Sequence, residues 1–253
     1  MSAAVSADTL AGMDVAVVGA SRGIGAGTAV ACAAAGAESV TVMGRDERGL
    51  EVVAAQVSDA GARASTRRCD VTSTDSIAAA FGSLPRLDAA VVAAGINEPM
   101  PFAEVPPEVF DRMLAVNVRG AFFAAQAAVR QMPAGEDGVV VFVSSQMGHV
   151  GAPRRTVYCA TKHAIEGMAK AMAVELAERG IRVLTVAPTF VRTEMTAAQL
   201  DDPEVGAELL ARIPRGRFGE VEEVAAAIVY AVSPAAGLLT GTSLVLDGGW
   251  TAQ

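Results

Sequence analysis

The chain has 253 residues, 52% of them hydrophobic and 19% charged, with a formal net charge of −8. That length suits one large α/β core and falls short of two independent domains. The acidic balance, with a pI of about 4.9, argues against a general electrostatic grip on nucleic acid or an anionic membrane, so any phosphate must be held locally.

Residues 1–10 include Asp8 and no Lys or Arg, which lacks the charged start of a secretory signal. No apolar run approaches transmembrane length. From there, short β-branched runs alternate with Ala-rich stretches of helical spacing. In chain order the expected elements are strand 15–18, helix 24–35, strand 40–43, helix 49–60, strand 65–68, helix 75–81 and strand 89–92. Helix 121–132, strand 139–143, helix 163–178, strand 183–186, helix 221–232 and strand 243–246 follow. This alternation predicts an α/β fold, a single-domain doubly wound parallel sheet over 1–253 with helices on both faces. The apolar strands suit a sheet covered on both sides, with ligands at the carboxyl ends of the strands. The long connection without a strand, 188–217, is expected to be a substrate lid.

Cys32, Cys69 and Cys159 are an odd number without metal-like spacing and read as reduced thiols, which suits the cytoplasm. His149 and His163 cannot supply a multi-histidine site, and no catalytic metal is expected.

The first expected strand runs into Gly19-Ala20-Ser21-Arg22-Gly23-Ile24-Gly25 and then a helix. Glycines let the backbone turn tightly and approach a ligand, and the free amides of a helix N-terminus favour an anion, so a pyrophosphate fits. About 20 residues on, the second strand ends in Gly44-Arg45-Asp46, where such folds read the adenosine ribose. Arg45, with Arg22, offers cations to a 2′-phosphate, which favours NADP(H). Asp46 keeps NAD(H) open as the alternative.

Tyr158 and Lys162 stand four residues apart and share a helix face. An ammonium beside a phenol is expected to lower its pKa and make Tyr158 a general acid or base. Thirteen residues earlier, Ser145 closes a strand where its hydroxyl can bind the reacting carbonyl oxygen, with Ser144 as competitor.

In these motifs the chain resembles the short-chain dehydrogenase/reductase family over nearly its whole length. The glycine loop 19–25, Asp70-Val71, Ala93-Ala94-Gly95, Asn117, Ser145, Tyr158, Lys162, Pro188 through Thr193 and the closing Asp247-Gly248-Gly249 occur in the family's order. The resemblance implies a Rossmann fold and hydride transfer between a nicotinamide and a carbonyl or alcohol carbon. Tyr158 would move the proton, Ser145 would orient the substrate oxygen, and Lys162 would bond the nicotinamide ribose. Asn117 would sit at a helix kink and hold a relay water. Asp70 and Val71 would contact the adenine, Ala93 and Gly95 would lie near the cofactor, and Pro188, Val191 and Thr193 would border the nicotinamide amide. A homotetramer is implied too. Three departures from the pattern stand out: Val18, and the pair Ala93-Ala94, where the family has polar residues, and Thr189, where glycine is usual.

The substrate pocket is expected to include Gln146, Met147, His149 and Thr189, with Ile96 and Asn97 nearby. A lone histidine in a turn such as His149 is more often a spectator than a pocket hydrogen-bonder, and Arg154 and Arg155 either grip an anionic substrate or face water, the commoner outcome at exposed sites. The turn Gly135-Glu136-Asp137-Gly138 is acidic and would repel an acidic carrier protein. A free ketone or secondary alcohol is therefore the expected substrate. The alternatives are a 3-oxoacyl thioester reductase, an NAD-dependent alcohol or sugar dehydrogenase, and a catalytically silent dinucleotide sensor.

Overall fold

The computed structural model describes residues 8–253, so most of the expected non-secretory start lies outside the described residues. Seven parallel strands form one sheet in the order β3-β2-β1-β4-β5-β6-β7. They are β1 (Asp14–Val18), β2 (Ser39–Gly44), β3 (Arg63–Arg68), β4 (Ala89–Val92), β5 (Gly138–Val143), β6 (Ile181–Pro188) and β7 (Ser243–Leu246). The strand order reverses between β1 and β4, which opens a crevice at their carboxyl ends.

Alternation along the strands builds two core layers. Val15 and Val17 of β1 pack in one with α1 (Gly23–Ala34), α2 (Glu47–Asp59) and α9 (Val221–Val232). Ala16 and Val18 pack in the other with α3 (Thr74–Gly82), α5 (Ala121–Gln131) and α6 (Thr156–Leu176). Fully burying each Val, Leu or Phe contributes about 1.5–3 kcal/mol. One strand departs from the apolar expectation: β3 lies at the sheet edge with Arg63, Thr66 and Arg68 exposed, and charge on an edge discourages further strand pairing.

Three helices went unanticipated. α4 (Pro107–Leu114) starts with proline at its first position, where the missing N–H costs nothing. Within a Pro-rich stretch that start reads as punctuation. A π-helical segment, Ala115–Gly120, joins it to α5. The expected lid contains α7 (Ala197–Leu200) and α8 (Pro203–Ala211), with an isolated bridge from Val191 to Gly219. Leu200, Ile213 and Phe218 pack with Trp250 in a small separate core, so this segment is a folded cap over the strand ends. α6 begins at Thr156, seven residues before the expected start; its N-cap residue Arg155 supplies no side-chain cap, so the sequence carries no capping signal at that position.

No helix among the described residues is long and apolar enough to cross a membrane.

Candidate active site

A cleft of about 390 Å³ opens at the carboxyl ends of the central strands. The glycine loop forms one wall. Gly19 has φ +84°, and a Cβ there would stand 2.6 Å from Ala94 N; one on Gly25 would stand 2.2 Å from Gly19 O. Only glycine permits this turn and its close approach to the end of β4. α1 then starts without a side-chain cap and with no acidic residue in its first turn, so its leading amides remain free to hold an anion.

Arg22 and Arg45 are exposed at this end of the cleft, and neither forms an ion pair with a carboxylate among the described residues. Asp46 caps α2, its carboxylate accepting from Gly49 N at 3.2 Å. Further along, Asp70 accepts from Thr72 N at 3.0 Å and Thr72 Oγ1 at 2.8 Å, and these bonds, the backbone one first, hold its pKa below the usual range. The free amides, glycine cradle and unpaired arginines fit a phosphorylated dinucleotide.

The reactive groups meet deeper in. Tyr158 and Lys162 lie on α6, with the ammonium 5.6 Å from the phenol ring centroid. Lys162 Nζ donates to Val143 O at 2.8 Å. Burial lowers its pKa to about 8, against the opposing pull of the Glu166 carboxylate. The expected lowering of the Tyr158 pKa is not what the structure has: burial raises it, while the Ser145 hydroxyl and then the Arg155 charge act in the opposite direction. The ammonium lies 5.6 Å from the ring centroid and donates to a backbone carbonyl rather than to the phenol oxygen, and desolvation dominates. Of the two serines, Ser145 is the one whose hydroxyl pulls the Tyr158 pKa down, and it accepts from Met147 N at 3.2 Å. Ser144 Oγ has no partner.

Asn117 sits in the π-helical segment, buried beneath the cleft. Its Oδ1 accepts from Ile96 N at 2.8 Å; its Nδ2 donates to Ile96 O at 2.9 Å and to Thr161 Oγ1 at 3.1 Å. One side chain therefore clamps the loop after β4 to the catalytic helix.

Of the expected cofactor residues, Gly19, Ser21, Arg22, Gly23, Ile24, Gly25, Arg45, Asp70, Val71, Ala93, Gly95, Pro188, Val191 and Thr193 line this cleft. Ser145, Tyr158 and Lys162 line it too, with Met147 and Thr189. Gln146 and His149 do not. Gln146 is buried with neither amide atom partnered, and His149 Nε2 stands 3.1 Å from Ser243 Oγ and 3.4 Å from Glu166. Phe190, Thr196 and Gln199 of the cap also line the cleft. The sequence gives little signal for them, since α7 is a single turn inside a stretch read as irregular.

The family model described as Enoyl-(Acyl carrier protein) reductase matches residues 19–251. The chain is 38% identical over 253 residues to human L-xylulose reductase, covering 96% of this chain and 98% of the relative. The chain belongs to the short-chain dehydrogenase/reductase family. It is 40% identical over 241 residues to cis-4-hydroxycyclohexanecarboxylate dehydrogenase of Sinomonas cyclohexanicum, covering 93% of this chain and 95% of that one. The crystal structure of a gluconate 5-dehydrogenase from Burkholderia cenocepacia J2315, in complex with NADP and tartrate, superimposes with a TM-score of 0.92 at 30% identity and 99% coverage of both chains. This family member is an NAD(P)-dependent oxidoreductase acting on CH–OH and C=O groups.

Proposed function

We propose that this enzyme prefers NADP(H) and interconverts the ketone and secondary alcohol of a small, free, hydroxyl-bearing substrate, with Tyr158 as general acid and base. The observation that carries this reading is the convergence of Ser145, Tyr158 and Lys162 with the glycine loop and two unpaired arginines on one cleft. The bound dinucleotide supplies the hydride. Arg45 and Arg22 would hold its 2′-phosphate, the α1 amides its pyrophosphate and Lys162 its ribose.

For reduction, Ser145 donates a hydrogen bond to the carbonyl oxygen, and Tyr158 gives that oxygen its proton as the carbon accepts the hydride. A phenol whose pKa lies above its ordinary value is protonated at neutral pH, so the free enzyme is set for proton donation. Asn117 keeps the β4 loop and α6 in register, and by the family resemblance holds the relay water that reprotonates Tyr158 through Lys162.

The polar lining supports a hydroxyl-rich substrate. Asn97, Ser144 and Thr189 bring polar side chains to the cleft, and among the described residues Asn97 Oδ1, Ser144 Oγ and Thr189 Oγ1 are buried without a protein partner, a state that costs about 1–3 kcal/mol per atom. The acidic turn argues against an acidic carrier, although Glu136 is paired with Arg86 at 2.6 Å and Asp137 carries most of that argument. We also expect a homotetramer, for which sedimentation at the monomer mass would be the contrary result.

The test is Tyr158→Phe. NADPH binding, followed by nicotinamide fluorescence, should persist, while NADPH-dependent reduction of small hydroxy ketones should fall by a factor of about 10² or more. Equal turnover by the two proteins overturns the mechanism.

A further inference from the structure

We propose that Arg155 anchors a carboxylate of the substrate, so that the enzyme's preferred substrates are oxo acids and hydroxy acids. This rests on the functional reading above and names the substrate class of the same site.

Arg155 and Lys162 are the two cations among the described residues with more than nine-tenths of their surface buried. Lys162 has a backbone carbonyl and a nearby carboxylate. Among the described residues the Arg155 guanidinium has one side-chain bond, from Nη2 to Gln199 Oε1 at 3.1 Å, and no ion pair. Where other arginines of this chain lack free solvent they are paired, as the half-exposed Arg112 is with Glu98, or spread over several helix-end carbonyls, as Arg182 is; Arg22 and Arg45, which have no such partner, are exposed. Burying a charge against one neutral amide is unfavourable unless a counter-ion arrives.

The guanidinium adjoins the cleft wall through Gln199. Arg155 stands one turn before Tyr158, its charge acts on that phenol, and its partner Gln199 lines the cleft. Behind it, α6 starts with no side-chain cap and no acidic residue in its first turn, which adds potential favourable to an anion. Arg154 is the one non-glycine residue with positive φ among the described residues, at +60°. Such a conformation costs about 1–3 kcal/mol and concentrates at functional sites. Here it separates two adjacent arginines, one exposed and one buried. A planar guanidinium with free N–H groups matches a carboxylate through two parallel bonds, and the Gln199 amide, turned over, would donate a third.

The test compares 4-oxocyclohexanecarboxylate with its carboxamide, which share a ring and a ketone and differ in charge. Both are titrated into the NADPH-loaded enzyme by calorimetry, and both are assayed for reduction. The wild type should favour the carboxylate by about tenfold or more in Kd and in kcat/KM, with the gain in KM. Arg155→Gln should bring the ratio near one, and Arg155→Lys, which keeps charge without the planar fork, should fall between. NADPH titration reports that each variant is folded. If Arg155→Gln does not fold, the wild-type ratio and the Arg155→Lys variant decide. If neither ketone is reduced, the functional reading fails, and calorimetry still decides the carboxylate site. Equal affinity for the two probes in the wild type, no binding of the carboxylate, or a preference unchanged in Arg155→Gln overturns the proposal.

Discussion

Replacing Lys162 with methionine should abolish turnover and yet stabilise the cofactor-free protein. The ammonium is buried and its pKa falls from 10.5 to about 8, which at about 1.36 kcal/mol per pH unit is a penalty of about 3 kcal/mol on the folded state. Methionine removes that penalty but also removes the bond to Val143 O, whose loss costs about 1–2 kcal/mol. The net gain at pH 7 is about 1–2 kcal/mol, or a Tm rise of about 2–8 °C for a chain of this size. The pH dependence follows from the depressed pKa. Below about pH 8 both folded and unfolded chains hold the proton and the penalty is complete. Between about 8 and 10.5 only the unfolded chain holds it, so wild-type stability rises with pH through that window. Thermal unfolding of both proteins from pH 6.5 to 9.5 should therefore show the Tm difference shrinking above pH 8. A variant less stable at pH 7, or a difference independent of pH, refutes the reasoning that burial governs this lysine.

Arg45→Ala should weaken NADPH about tenfold or more and leave NADH nearly unchanged, since an exposed arginine with no carboxylate partner has only the 2′-phosphate to lose; parallel fluorescence titrations decide it. In reduction, kcat/KM should fall as pH rises through about 8, where Lys162 of the free enzyme loses its proton; a plateau to pH 9.5 would show that the charge is not needed. Gly25→Ala places a methyl 2.2 Å from the Gly19 carbonyl oxygen, so the loop must shift, at a cost of about 1–3 kcal/mol. NADPH affinity should drop by about tenfold or more, and unchanged affinity would show that the loop tolerates the added carbon.

The sheet was legible because β-branched runs such as Val139 to Val143 have few other uses, and β4 and β7 begin and end where periodicity puts them. The glycine loop was legible for a similar reason, since strand, glycines and helix follow without a break. α7 was not, because one turn of helix has no period to detect. Nor was the use of Asp46: a carboxylate at a strand end reads as a ribose ligand until its bond to Gly49 N shows it capping α2. The Tyr158 environment failed for a different reason. Spacing on a helix tells that Lys162 is near, and says nothing of whether its N–H groups face the phenol or the Val143 carbonyl.

These failures share a location. A sequence specifies its fold best where local preference and tertiary packing agree, and residues that break local rules gather where function requires them. Around the cleft, Lys162 and Arg155 are buried cations, Arg154 is left-handed, and Asn97, Ser144 and Thr189 bury unpartnered polar atoms. Each destabilises the empty protein by an amount that a suitable ligand would offset. Carbonyl oxygens, hydroxyls and a carboxylate are the groups that satisfy this set, whereas a purely apolar ketone would leave the hydroxyls and the guanidinium unanswered. The stability that ligands return should accordingly depend on their polarity as well as their size.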